Sequence, residues 1–321
     1  TGPKGASSVT GRFYSAGHIL GSAGVELRFE EWDRERRVFY TSDTNMQAQT
    51  ILPGGEYPES TDILILETTL GADDEAEQTS RPEERERFRV TLARVLARGG
   101  TALIPVFVMG RAQEMLVLLG ELKREGAIPR NVPIYTAGSM RSISDLYDQT
   151  RQTTPRLDPD AEVFGVEQER VPYEAEAKRE ILEGPGIMVV SSGMMIEPTL
   201  SNVLARRMVE NERDAVLLVG HPAEGTPARR LLDTAEQGPG APVMLAEGHG
   251  PQPVHCTVER FRFSGHSDRR DLLSIVDRLD PETVLLVHGD PEARAWMAEH
   301  IEADHPDIEV HRPDWGSVIE V

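Results

Sequence analysis

Residues 254–290 read VHCTVERFRFSGHSDRRDLLSIVDRLDPETVLLVHGD. The alternating run VHCTVERFRF predicts a strand, DRRDLLSIVDRL a helix, and TVLLVHG a second strand. Strand, helix and strand in succession form the repeating unit of an α/β protein. His266 and His288 both fall in turns just beyond strands, and Ser267 or Asp268 is placed to cap the helix that follows His266.

Outward from this stretch the same alternation recurs. Toward the C-terminus come a helix, PEARAWMAEHI, and a strand, IEVHRP. Toward the N-terminus, GIMVVSS and AVLLVG read as strands around a helix in TLSNVLARRMVE, with further helices expected around Ser144 to Thr153 and Glu174 to Leu182. TALIPVFV and VPIYTA read as strands on either side of the helix GRAQEMLVLLGELKREG. Phe88, Leu92, Val95 and Leu96 share one helical face in EERERFRVTLARVLARGG, which Gly99-Gly100 stops. In the first 70 residues, GVELRFEEW, RRVFYTSD and TDILILETT are strand-like. The class is α/β.

The 321 residues are enough for about two domains, with Lys+Arg 34 against Asp+Glu 54 and a formal charge of −20. The acidity is spread along the chain, and such a field repels polyanions and favours solubility. Lys4, Lys123 and Lys178 are the only lysines. The arginines at 85, 87, 89, 94 and 98 alternate with acids and predict a solvated, partly ion-paired helix face. Cys256 stands alone, which excludes an intrachain disulfide and fits a reducing cytoplasm. No run approaches the ~18–20 continuous apolar residues that span a bilayer, so no membrane partner is expected.

Metal and acid–base chemistry needs imidazoles and carboxylates at fixed points, and α/β sheets gather such groups beyond the carboxyl ends of their strands. Asp43, Glu67 and His288 each close a strand, His266 precedes a helix, and His18 lies in a Gly-rich turn, SAGHILGSAG. Singly each is an ordinary turn, cap or hydrogen-bonded residue; five together point to a site. Ser192 and Gly193 follow a buried strand and can present backbone N–H groups to a phosphate, or form an ordinary tight turn. Arg111 begins a helix, where it can face a substrate or bind a carboxylate inside the fold.

GHILGSA (17–23), YTSD (40–43), ILETTLG (65–71), GTALIPVFVMGRAQEMLVLL (100–119), SSGMM (191–195), FSGHSDRRDLL (263–273) and LVHGD (286–290) stand in an order that resembles the β-CASP branch of the metallo-β-lactamase superfamily. The resemblance covers nearly the whole chain, and that branch includes RNase J and the mRNA 3′-end cleavage endonucleases. It implies a metallo-β-lactamase-like fold in residues 1–70 and 259–321, interrupted by a β-CASP domain in residues 71–258. It further implies a ribonuclease that cuts RNA phosphodiesters, leaving a 5′-phosphate and a 3′-hydroxyl. By the same resemblance His18, Asp43 and His288 match zinc ligands, with Asp43 bridging two zinc ions about 3.5–4 Å apart. Glu67 and His266 match an acid–histidine pair beside the scissile phosphate, and Ser192, Gly193 and Arg111 are the candidate substrate contacts. A homodimer is the oligomer the family suggests.

The sequence departs from the family pattern in several places. The family's His-x-His-x-Asp-His cluster is missing, and no His-x-His occurs anywhere. Ser42 stands where Gly is usual, Leu70 where an aromatic is usual, and SSGMMIEPT lacks the usual Gly pair. The expectation is therefore the N-terminally incomplete form of a longer enzyme, nearly inactive alone, whose RNA affinity comes from the metal and a local arginine-lined surface. The alternatives are a non-catalytic RNA-binding or assembly subunit and a small-molecule hydrolase of the same superfamily.

Overall fold

The computed structural model describes residues 8–31, 34–172 and 180–320. Among them run β1 (Val9–Ser15), β2 (Ala23–Glu31), β3 (Arg34–Tyr40), β4 (Ile63–Glu67), α1 (Arg81–Ala97), β5 (Thr101–Pro105), α2 (Arg111–Arg124), β6 (Ile134–Thr136) and α3 (Met140–Gln149). Next come β7 (Glu169–Arg170), β8 (Gly186–Val190), α4 (Leu200–Met208), β9 (Ala215–Leu218), α5 (Pro227–Ala235), β10 (Pro242–Val243), β11 (Gln252–Pro253) and β12 (Thr257–Arg260). Then follow α6 (Arg269–Leu279), β13 (Thr283–Val287), α7 (Pro291–Asp304) and β14 (Glu309–His311). The α/β class holds.

The chain forms two compact units, Thr1–Thr79 with Gly265–Val321, and Ser80–Ser264. The sequence reading divided it at 70/71 and 258/259. The short turn Ala76–Gln78 stays with the first unit because Glu77 accepts the Arg269 guanidinium at 2.8 and 3.0 Å. Phe261 and Phe263 stay with the second because both rings meet Phe88 edge-on, at centroid distances of 5.2 and 5.6 Å.

In the first unit the sheet order is β1-β2-β3-β4-β13-β14. β1, β2 and β3 pair antiparallel; β3, β4, β13 and β14 pair parallel. The parallel half brings the carboxyl ends of β3, β4 and β13 side by side. Leu64, Leu66, Val284 and Leu286 pack against Leu272, Ile275 and Leu279 of α6 and Met297 and Ile301 of α7. Asp268 caps α6 by accepting from the N–H groups of Arg270 and Asp271, both at 2.9 Å, as its position predicts. Ser267 instead accepts the Met46 N–H, tying the two loops that carry Asp43 and His266.

In the second unit the sheet order is β12-β9-β5-β8-β6-β7, parallel throughout. β5, β8 and β9 are buried along their whole length, which is why their sequences are continuous apolar runs. Ser80 and Glu83 form a reciprocal capping box at the start of α1. Four of the five expected arginines are ion-paired, Arg85 with Glu121 and Glu125, Arg87 with Glu84, Arg89 with Glu86, and Arg94 with Glu259, while Arg98 donates to the Arg213 and Asp214 carbonyls.

Two local expectations shift and a third is not described. The helix expected around Ser144 to Thr153 is α3, which starts earlier and ends where the Thr150 and Thr154 hydroxyls bond back to Leu146 O and Thr150 O. The strand expected over VHCTVERFRF shortens to β12, because the His255 and Cys256 N–H groups both go to Val209 O outside the ladder. The helix expected around Glu174 to Leu182 lies largely outside the described residues.

Candidate active site

Five side chains of the first unit converge at the strand ends. His288 follows β13 and Glu67 ends β4; Asp43 follows β3, while His18 and His266 enter from turns. The backbone is shaped to present them. His288 and Ser42, beside Asp43, hold left-handed φ values of 49° and 56°. Gly289 has no room for a side chain: a Cβ would sit 2.2 Å from Thr68 Oγ1. Gly17, beside His18, combines φ +73° with an Asn45 carbonyl that a Cβ would approach to 2.4 Å.

Glu67 is fully buried and shared three ways. Oε1 accepts from the Thr44 N–H at 3.1 Å and lies 2.9 Å from His266 Nδ1; Oε2 accepts from the Thr69 N–H at 2.9 Å. Burial alone would push this carboxyl up, but the His266 bond and charge, with the Thr69 bonds, hold it below its ordinary value. A carboxylate at this point fixes His266 with Nδ1–H toward Glu67 and Nε2 turned outward.

Asp43 sits between two imidazoles, with Oδ1 3.0 Å from His288 Nδ1 and Oδ2 3.9 Å from His18 Nε2. His18 Nδ1 donates to Gly265 O at 2.9 Å, which leaves Nε2 as the lone-pair nitrogen facing Asp43. Burial, then the nearby His266, push the His18 imidazole down, toward its neutral form. The His18 and His266 rings are 4.5 Å apart, and those of His266 and His288 5.9 Å. Among the described residues two sets have donor atoms mutually within 4.8 Å: His18, Asp43 and His266, and Glu67, His266 and His288. Both lie here. His266 belongs to each, a versatility its place in the sequence did not reveal.

Residues 112–231 match the Beta-Casp domain, and residues 251–313 match the Zn-dependent metallo-hydrolase RNA specificity domain. The chain belongs to the β-CASP metallo-β-lactamase family. Among this β-CASP chain's relatives is an RNase J-like protein of Methanocaldococcus jannaschii, 28% identical over 87% of this chain and 63% of that protein. Others are an endoribonuclease YSH1 of Mycosarcoma maydis, 28% identical over 94% of this chain and 34% of that one, and a transcription termination factor FttA of Methanothermobacter thermautotrophicus, 30% identical over 86% and 44%. The β-CASP chain thus spans from about a third to under two thirds of these relatives. A crystal structure of a protein of unknown function from Enterococcus faecalis V583 shares the fold, with TM-score 0.50 and 12% identity over 99% of this chain and 66% of that one.

The remaining candidates of the β-CASP chain lie in its second unit. Arg111 heads α2, half-buried, and burial followed by the neighbouring Arg81 push its guanidinium down to about 10, with Glu114 as the opposing charge. Ser192 follows β8; its Oγ accepts from the Ile196 N–H at 3.2 Å and its carbonyl from Ser201 Oγ at 2.7 Å. Gly193 lies against Phe107, where a Cβ would come 3.3 Å from the Phe107 nitrogen. Sequence reasoning missed Thr44 and Thr69, whose N–H groups hold Glu67, and the Thr69 hydroxyl, 3.1 Å from His288 Nδ1. Their adjacency to Asp43 and Glu67 in TSDT and ETT is the signal that marks them.

Proposed function

We propose that the whole protein is a metal-dependent ribonuclease that hydrolyses RNA phosphodiester bonds. One observation carries this reading: a buried glutamate with its imidazole lies beside an aspartate flanked by two more imidazoles. The names of the matched domain and of the endoribonuclease relatives support RNA as the substrate.

The residues fit zinc. The donors are imidazole nitrogens and carboxylate oxygens, and His18 has its distal nitrogen anchored to a carbonyl in the way that orients metal ligands. In this reading His18, Asp43 and His288 would hold the metal. Two four-coordinate ions need donors beyond these three. When bound, zinc activates a water and polarises the phosphoryl group.

This chain's own residues supply the proton. His266 Nε2, oriented by the Glu67 bond at Nδ1, protonates the departing ribose oxygen. Glu67 cannot drift, because the Thr44 and Thr69 N–H groups hold both of its oxygens. Ser192, Gly193 and Arg111 serve as substrate contacts. Buried Cys256 fits a reducing cytoplasm, and no described helix is long and apolar enough to cross a membrane. A homodimer completes the proposal, and sedimentation at micromolar concentration tests it; a monomer there removes it.

Produced from its complete gene and supplied with zinc, the protein should cleave labelled single-stranded RNA. His266→Ala should slow cleavage by about 10²–10⁴-fold. Asp43→Asn and His288→Ala should abolish it. Undiminished cleavage in these variants sinks the reading; RNA binding without any cleavage by the parent protein favours the non-catalytic subunit.

A further inference from the structure

The second unit carries an unpartnered aromatic at a structurally special place. Phe107 is 53% exposed, and it is the one aromatic among the large exposed hydrophobics of that unit's described residues. It follows β5 in the middle of the sheet, where the strand order changes direction: β5 leads through α2 to β6 on one side, and β8 leads through α4 to β9 on the other. Such reversals are where parallel α/β sheets open a crevice for ligands beyond the strand ends.

The ring has a built seat. Gly193, in the turn after β8, faces Phe107 so closely that a Cβ would stand 3.3 Å from its nitrogen and 3.5 Å from ring atom Cδ2. The glycine lets the backbone come close to the ring edge, and the ring stays half-exposed. β9, which pairs with β5, leads to His221, whose Nδ1 lies 3.3 Å from Nη2 of Arg260 at the end of β12. An exposed phenyl on a backbone seat has the chemistry of a stacking platform for a base of a single strand.

We propose that Phe107 stacks an unpaired nucleobase of single-stranded RNA, with Gly193 as the seat that holds the ring. This rests on the reading of RNA as substrate and deepens it. The platform sets affinity and register along the strand, so Phe107 is a positioning residue.

The test is fluorescence anisotropy of a labelled oligouridylate with the complete protein in EDTA at low salt, where no cleavage interferes. Phe107→Ala and Phe107→Leu should each weaken binding about ten-fold, and Phe107→Trp should retain it. The leucine variant keeps apolar bulk and guards against a folding artefact. An abasic strand should bind the parent protein about ten-fold more weakly and ignore the alanine substitution. The proposal is overturned if the parent binds no oligouridylate, if Phe107→Leu binds within two-fold of it, or if the abasic strand binds equally well. The two readings fail separately. Base-dependent binding without zinc-dependent cleavage leaves the platform standing, whereas cleavage with binding indifferent to Phe107 removes the platform alone.

Discussion

Both units end their parallel strands in loops, but what the loops carry differs. In the first, β3, β4 and β13 deliver Asp43, Glu67 and His288, and the donor clusters of the described residues all lie there. In the second, β5 and β8 deliver Phe107, Ser192 and Gly193, where shape and an exposed ring replace ionisable groups. The same architectural position is used once for side-chain chemistry and once for backbone geometry. On the proposed function this contrast becomes a division of labour, in which the first unit reacts and the second holds.

The largest expected effect tests that division through metal affinity. Asp43→Asn and His288→Ala should weaken zinc binding by about a hundred-fold or more, since even indirect partners of metal ligands are worth about 10–100-fold. Phe107→Leu and Ser192→Ala should leave it unchanged. Competition with a chromogenic chelator reads both, and equal losses from the two units would end the division.

Next in size is the support beneath the site. Glu67→Ala strands the Thr44 and Thr69 N–H groups and His266 Nδ1 in a buried place, and should cost about 3 kcal/mol in urea unfolding. Gly289→Ala forces a Cβ to within 2.2 Å of Thr68 Oγ1 and should cost about 2 kcal/mol while displacing His288. A Gly193→Ala substitution meets its nearest atom only at 3.3 Å, so it should cost less than Gly289→Ala. A reversed order would show that the tighter backbone lies in the second unit.

How much of this the sequence discloses follows the same contrast. Asp43, Glu67, His266 and His288 are legible because their residue types, placed after apolar strands, already name the chemistry. The partnering of Glu67 with His266, 199 positions apart, is legible only through the family resemblance, because no local pattern encodes it. Phe107 was illegible for another reason: within TALIPVFV it reads as one more core residue, and only the end of β5 at Pro105 turns it outward. Arg111 left two readings open, and of its neighbours Glu114 stands in the first turn of its own helix while Arg81 starts another.

A smaller effect comes from the ion pair that keeps the Ala76–Gln78 turn with the first unit. The Arg269 hydrogen bonds lead in holding the Glu77 carboxyl at about 2, against burial, with Arg269 and Arg270 charges adding to them. A lowered folded value means the stabilisation is present above the unfolded range near 4.3 and is lost as pH falls toward 2. Glu77→Gln should therefore lower stability by about 1 kcal/mol at neutral pH. The gap in melting temperature from the parent should close in acid; a gap constant with pH would remove the electrostatic account.

The smallest effect bears on the backbone of the reacting unit. Ser42 occupies a left-handed conformation, φ 56°, where a Cβ costs roughly 1–2 kcal/mol. The family's usual glycine has a physical reason here: it meets that conformation without the clash. Ser42→Gly would remove the strain but add about 0.5–1 kcal/mol of backbone entropy cost. The balance predicts stabilisation by about 0.5 kcal/mol, a rise of about 1–2 °C in melting temperature. Destabilisation instead would mean that the entropy cost of the glycine outweighs the strain, and that the serine side chain helps to fix the loop presenting Asp43.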